Sequence, residues 1–346
     1  MDPIVTILLL AALAFVVTIA WTPLLTRVLY KYRLGKNLRL ASDAPVYAAL
    51  HAHKAGTPTM GGLLVWVTVF AFAVLFSVAD AFGIPGLKDL DFLSRHETLL
   101  PLGALVAAAL VGLGDDLLNV FRIGASGGGL RMRHRLLLYA VIAAVGAWWF
   151  VVKLEWTTLH VPFVGPADLG ALGFGLFAFA FLIAVAFSVN ETDGLDGLAG
   201  GTLLTSFAAY GTIAFMSERY DLAAFVAVIM GSLLAFLWFN IPPARFFMGD
   251  TGAMALGTAL GVTALLLGEP LLLLVIGLPF VIESLSVIVQ QTSKHLRGKK
   301  LFHSTPFHHH LEAMGWPEPK IVMRAWIISA VTAALGLVVF LIDRGS

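Results

Sequence analysis

The 346-residue sequence contains no cysteine, so it can form neither a disulfide nor a thiolate metal site. It is also short of charge. Only 12% of its residues are Asp, Glu, Lys or Arg, 59% are hydrophobic, and the mean hydropathy is +0.90. So apolar a composition excludes an ordinary soluble domain. Extended polar stretches are missing as well: the longest loop segments, 29–60 and 291–320, are too short to build a domain of their own. No strong internal repeat and no low-complexity tract interrupts the chain.

What the sequence does have is a series of apolar runs, at 4–28, 61–79, 98–114, 136–152, 170–189, 198–216, 222–239, 252–267, 271–290 and 321–342. Each approaches the ~20 residues that a helix needs to cross a hydrocarbon core. The expected architecture is an all-α integral membrane protein of about ten transmembrane helices, a single polytopic domain over 1–346. The first run lacks a basic leader and an A-x-A-like cleavage site and reads as a retained span.

A formal net charge of +1 hides a strong asymmetry. One set of loops holds Arg27, Lys31, Arg33, Lys36, Arg39, Lys54, Arg122, Arg131, Arg133, Arg135, Arg245, Lys294, Arg297, Lys299, Lys300, Lys320 and Arg324. The other holds only Lys88, Arg95, Lys153, Arg219 and Arg344. The positive-inside rule puts the first set in the cytoplasm and both termini in the periplasm.

The unusual residues gather on the basic side. VGLGDDLLNV (111–120) ends an apolar run on the adjacent carboxylates Asp115 and Asp116. The same face receives HKAGTPTMGG (53–62), SVNETDGLDGLAGG (188–201), WFNIPPARFFMGDTG (238–252) and FHSTPFHHHLEAMGW (302–316). Asp115, Asp116, Asp193, Asp196 and Asp250 together offer hard oxygen ligands that suit Mg2+ better than a softer metal. Magnesium held by a few carboxylates and substrate phosphates points to phosphoryl chemistry.

Each stretch has a plainer reading. Paired aspartates can be solvated helix ends, DGLDG can be turn chemistry, and in GDTG either Asp250 or Thr251 can cap the following helix. Lys54 can be a positive-inside anchor. A zinc site is the competing reading for His308, His309 and His310, but helical neighbours point about 100° apart, so three in a row cannot all face one ion. Glu283 lies inside an apolar run and needs a partner or a wet cavity. Independent caps would have no reason to fall on one side of every span, and that alignment favours one site.

Lys54 in KAGTPTMGG, the pair in GDDLL, NETDGLDGLAGG, FNIPPARFFMGDTG, IESLSVIVQQ and PFHHHLEAMGWPE occur in an order and spacing that resemble the phospho-N-acetylmuramoyl-pentapeptide transferase (MraY) family over nearly the whole chain. The wider polyprenyl-phosphate N-acetylhexosamine-1-phosphate transferases share the aspartate pair and the NxxDGxDG pattern. TPTMGG after Lys54 and the unbroken HHH with GW-x-E favour the muramoyl-pentapeptide branch.

The resemblance implies transfer of phospho-MurNAc-pentapeptide from UDP-MurNAc-pentapeptide to undecaprenyl phosphate, giving lipid I and UMP with Mg2+. The place would be the cytoplasmic face of the bacterial inner membrane, in contact with membrane lipid. The family also suggests a homodimer; no nucleic-acid partner is expected. Carried over by position, Asp250 resembles the principal metal ligand, with Asp115 and Asp116 facing metal and lipid phosphate. Lys54 would neutralise the diphosphate. Thr59, Asn190, Asp193, Gly194, Leu195, Asp196 and Asn240 fall in the expected substrate pocket, Phe247 is placed to stack on uracil, and His308 and His309 resemble the functional part of the triplet.

Two departures stand out. Where the family commonly has a lysine soon after the aspartate pair, this chain has Asn119, which leaves Arg122, Arg131, Arg133 or Arg135 as the replacement cation. GDTGAMALG also stands for the more usual GDTGSLALG. The runner-up readings are a related transferase using UDP-GlcNAc and a cation-coupled transporter. The transporter would place its acidic residues near mid-membrane, where only Glu283 lies deep.

Overall fold

A computed structural model describes residues 2–35, 51, 54, 56–94, 97–124 and 128–345. Lys36, Arg39 and Arg95, which enter the charge asymmetry, and the middle of the GASGGG stretch lie outside the described residues. The helices are α1 (Pro3–Lys31), α2 (Leu63–Ala81), α3 (Leu99–Val120), α4 (Met132–Trp148), α5 (Gly170–Thr192), α6 (Leu198–Met216), α7 (Tyr220–Asn240), α8 (Asp250–Leu266), α9 (Leu273–Ile276), α10 (Leu278–Arg297), α11 (Phe307–Ala313) and α12 (Glu318–Gly345).

Eight of these, α1 to α7 and α12, are long and apolar enough to cross a bilayer. The chain is a multi-pass membrane protein. Its outer helices present apolar side chains outward, such as Leu8 and Leu24 on α1 and Ile327 and Val331 on α12, as lipid-facing helices should.

The fold departs from the sequence expectation in two places. The run at 271–290 is not one straight span, because the stretch Pro270–Ile276 meets α10 at 87°. Pro279 sits in the first turn of α10; a proline has no N–H for the preceding turn and clashes with it, so the helix restarts there. Between α4 and α5 the chain is not helical but forms a hairpin, β1 (Thr158–Val161) antiparallel to β2 (Gly165–Asp168).

The run at 252–267 corresponds to α8, only 17 residues long and buried along its whole length. Its sequence, DTGAMALGTALGVTALL, is mostly Gly, Ala and Thr, and small residues let neighbouring backbones come close. It packs chiefly between α3 and α5. Gly112 on α3 makes the approach possible: a Cβ there would lie 2.2 Å from the carbonyl oxygen of Asp250. One turn further along α3, Asp115 and Asp116 therefore arrive at the start of α8.

Candidate active site

The aspartate pair is almost wholly buried, each residue 1% exposed. Burial of this kind excludes the solvated-cap reading, since a buried carboxylate needs partners. Neighbours on a helix face different ways, and these two divide the work. Asp115 accepts the Leu130 N–H at 2.6 Å and lies 2.5 Å from Arg135 Nε, a close charge contact off hydrogen-bond alignment. Asp116 accepts the Thr251 N–H at 3.0 Å and the Thr59 hydroxyl at 3.3 Å.

The first turn of α8 is thus capped from another helix. Gly249 is its N-cap residue and supplies no side chain, while Asp116 takes the Thr251 N–H. Asp250 does not cap either. Its Oδ2 accepts from Arg135 Nη2 at 3.0 Å and its Oδ1 from Asn190 Nδ2 at 2.8 Å. One guanidinium therefore bridges Asp115 and Asp250, and the planar fork of arginine suits that task. Among the arginines that the sequence left open, Arg135 occupies this position; Arg122 is exposed. Asn119 donates a long 3.4 Å bond to the Gly128 carbonyl and helps shape the loop after α3. A cavity of about 330 Å³, walled by Leu118, Ile123 and Leu130 with Arg131 and His134 on its lining, lies next to Asp115.

A second charged cluster surrounds Lys54, which is 8% exposed. Its ammonium donates to Asp196 at 2.7 Å and to Glu318 at 2.5 Å. Burial pushes the ammonium pKa down, but Asp196 and Glu318 outweigh it and the net shift is upward, so Lys54 is charged. It also lies 5.9 Å from the ring centre of half-buried Phe247. Asp196 Oδ2 accepts from Ala244 N at 2.9 Å, and Glu318 accepts from Asp196 N at 2.7 Å. Asn240 joins the two loops, accepting from Gly197 N at 3.0 Å and donating to the Phe246 carbonyl at 2.9 Å.

The histidines diverge. His308 is buried, with Nδ1 3.0 Å from Glu283, whose same oxygen accepts the His308 N–H at 3.1 Å. Glu283 thus has the partner that its depth demanded. His309 Nδ1 lies 2.6 Å from Glu312, and His51 Nε2 lies 3.1 Å from the same carboxylate. His310 instead accepts from His303 N at 3.2 Å. Burial pushes His308 down, yet Glu283 outweighs it and holds the imidazole above its ordinary value. Burial and the neighbouring His308 push His309 down to about 3. Burial would raise Glu312, but hydrogen bonds from His309 and His51 bring it down to about 2. The two neighbouring imidazoles are thus shifted in opposite directions.

His308 also closes on the DGLDG loop. Its Nε2 is buried without a hydrogen-bond partner, and a Cβ on Gly194 would lie 2.2 Å from it. Only glycine tolerates that approach. Asp193, the C-cap residue of α5, is half-buried beside it. Leu195 is different: it packs with Leu198, Ile321 and Val322 in a small apolar cluster.

The predicted residues thus gather in several groups. Asp115 and Asp250 meet at Arg135, with Asn190 on Asp250; Asp116 and Thr59 hold the start of α8; Lys54, Asp196, Asn240 and Phe247 form the second cluster; and His308 and His309 lie on their carboxylates, with His308 against Gly194. The three aspartates proposed as metal ligands are not among the described groups whose donor atoms all lie within 4.8 Å; His51, His309 and Glu312 are such a group. Glu318, Glu312 and His51 received no role from sequence. Glu318 stood inside the quoted GW-x-E, but nothing in its spacing pairs it with Lys54, which is 264 residues away.

Residues 98–268 match the family described as Glycosyl transferase family 4, and residues 54–64 match phospho-N-acetylmuramoyl-pentapeptide-transferase signature 1. A phospho-N-acetylmuramoyl-pentapeptide-transferase from Chloroflexus aurantiacus is 36% identical over 97% of this chain and 89% of its own length. Proteins of the same name from Clostridium perfringens and Desulforudis audaxviator are 36% and 37% identical, covering 94% and 96% of this chain and 96% and 97% of theirs. The chain belongs to the phospho-N-acetylmuramoyl-pentapeptide transferase family. It is a membrane transferase of peptidoglycan synthesis. The signature begins at Lys54 and runs through Thr59 into α2, so it covers the cation of the second cluster and one partner of Asp116.

Proposed function

We propose that the protein transfers phospho-MurNAc-pentapeptide from UDP-MurNAc-pentapeptide to undecaprenyl phosphate, releasing UMP, at the cytoplasmic face of the bacterial inner membrane. The observation that carries the chemistry is the convergence of Asp115 and Asp250 on Arg135 at the ends of apolar helices. One substrate is confined to the bilayer and the other is soluble, so the reacting groups must sit where a span meets water. The apolar-walled cavity next to Asp115 offers a place for the first part of a lipid chain, with Arg131 and His134 near its phosphate.

The donor set fits Mg2+. Asp115 and Asp250 are buried hard-oxygen donors that share one guanidinium, a surplus of negative charge that a dication would balance. Both oxygens of Asp116 are engaged by Thr251 and Thr59, which makes it a positioning residue. Asp250 with Asp115 would hold the ion, whose charge would relieve repulsion between the two phosphate groups. Lys54 would add a point charge on the diphosphate, and Phe247 beside it would offer a stacking face for the base.

A lipid phosphate monoester has a second pKa near ~6 and is largely dianionic at neutral pH. It needs orientation more than deprotonation, so Asp115 and Arg135 act by placing it, and the transfer is a single displacement. The test supplies purified protein with undecaprenyl phosphate and either UDP-MurNAc-pentapeptide or UDP-GlcNAc and follows UMP. Release from the first substrate alone is expected. No release from it would end the proposal, and exchange of labelled UMP into the donor without lipid phosphate would replace single displacement with a covalent route.

A further inference from the structure

Three helices that carry site residues near their starts end close together on the other side of the molecule. Beyond α8 comes Glu269, in the last turn of α12 is Asp343, and beyond α4 the hairpin carries His160 on β1. A ligand atom from each lies within 4.8 Å of the other two. His160 Nε2 is 2.5 Å from Asp343 Oδ2, and Asp343 Oδ1 accepts the Phe163 N–H at 2.5 Å. Taken alone, that is an ion pair pinning the hairpin to the end of α12.

Glu269 does not fit the ion-pair reading. It is 6% exposed, and its backbone is fixed: its N–H donates to the Ala264 carbonyl at 3.1 Å and its carbonyl accepts the Tyr210 hydroxyl at 3.0 Å. Among the described residues no donor hydrogen-bonds its carboxylate, and burial raises its pKa. The nearby guanidinium of Arg344 lies over the Phe340 ring at 4.5 Å. A buried carboxylate with no hydrogen bond, aimed at an imidazole and a second carboxylate, is costly unless something else occupies the space between them.

We propose that His160, Glu269 and Asp343 form a site for a borderline divalent transition ion of the Zn2+ class, joining the hairpin to the ends of α8 and α12. One imidazole and two carboxylates are a zinc-type donor set, and an imidazole disfavours the harder Mg2+ and Ca2+. Tetrahedral ligands about 2.0–2.1 Å from zinc stand about 3.4 Å apart. His160 and Asp343 must therefore separate by roughly 1 Å, a small motion at a hairpin and a helix end. The Phe163 N–H on Asp343 orients that carboxylate from outside the site.

The experiment uses the full untagged chain in detergent, stripped with a chelator and dialysed against Zn2+ in excess Mg2+. His309→Ala serves as the parent, because it removes the other described three-donor group. The parent should retain one zinc per chain and melt at a higher temperature with Zn2+ than without. Adding Glu269→Gln keeps the His160–Asp343 pair and should abolish both effects without lowering the metal-free melting temperature, since it removes a buried charge. Adding His160→Ala should abolish them too. Equal zinc content in the parent and in the Glu269→Gln protein would overturn the site.

Discussion

Arg135→Ala tests whether one guanidinium holds the buried carboxylates of Asp115 and Asp250 together. At the observed 2.5 and 3.0 Å and an effective dielectric near 20, each contact is worth about 5–7 kcal/mol before desolvation. Desolvation offsets most of that, and removing one partner from a buried ion pair costs on the order of 3–5 kcal/mol. The Arg135 side chain is only 20% exposed, so little of this is lost to solvent screening. In metal-free buffer the variant should therefore melt well below the parent. Saturating Mg2+ should narrow the gap, since a dication can replace the missing cation if Asp115 and Asp250 are its ligands. Arg135→Lys should recover only part of the loss, because an ammonium cannot span both carboxylates as a fork does. Arg122→Ala and Asn119→Ala should each cost less stability and less UMP release than Arg135→Ala. Thermal melting with and without Mg2+, alongside UMP release, reads all of these. A metal-free Arg135→Ala protein as stable as the parent would refute the bridging role.

Asp250→Asn should stay folded yet lose at least ~10²-fold in turnover, because an amide cannot replace a carboxylate on a hard cation; near-normal rates at saturating Mg2+ would count against the ligand assignment. Gly112→Ala pushes a methyl group to within 2.2 Å of the Asp250 carbonyl and should cost about 1–3 kcal/mol. Gly114→Ala, two residues on with no atom within 4 Å of its added Cβ, is the control and should be neutral or stabilising; equal behaviour of the two variants would mean that the α3–α8 approach is not tight. His308 is held above its ordinary value by Glu283, so the stability from that pair is fully present below the unfolded pKa of ~6.5 and is lost as pH rises through the raised folded value. Melting temperatures above pH 6.5 should therefore fall with a component that His308→Gln lacks, and parallel curves would show that the pair is not ionised as argued.

Eight of the expected spans were legible because burial in lipid demands unbroken apolar helix, and that requirement leaves a composition signal that needs no knowledge of neighbours. The broken helix was not, although its cause was visible. Gly277 and Pro279 sit inside a run whose hydropathy reads as continuous, and a sum over a window cannot register where the backbone turns through 87°. The hairpin at 158–168 is too short and too polar to leave a periodic pattern. What positions the site was equally hidden in plain residues. Gly112 looks like any small residue in a membrane helix until the carbonyl of Asp250 is placed against it.

For the candidate site, the carboxylates stood out in the sequence and their partners did not, and the reason lies in the charges themselves. A buried Asp must be paired, but the cation that pairs it comes from wherever the fold brings one. Arg135 is 115 residues from Asp250, and Glu318 is 264 from Lys54. Adjacent aspartates at the end of α3 do not face one partner. Asp115 turns to a guanidinium and Asp116 to the open N–H of Thr251, so the same dipeptide supplies a carboxylate paired with Arg135 and the cap that fixes its neighbour helix. The cap places Asp250 at the start of α8 with its side chain free to meet Arg135. Remove Asp116 and the helix start loses the acceptor for its Thr251 N–H; remove Asp115 and Arg135 keeps only Asp250 while the Leu130 N–H loses its acceptor. Two neighbouring residues of one type thus do different work because a helix turns about 100° between them.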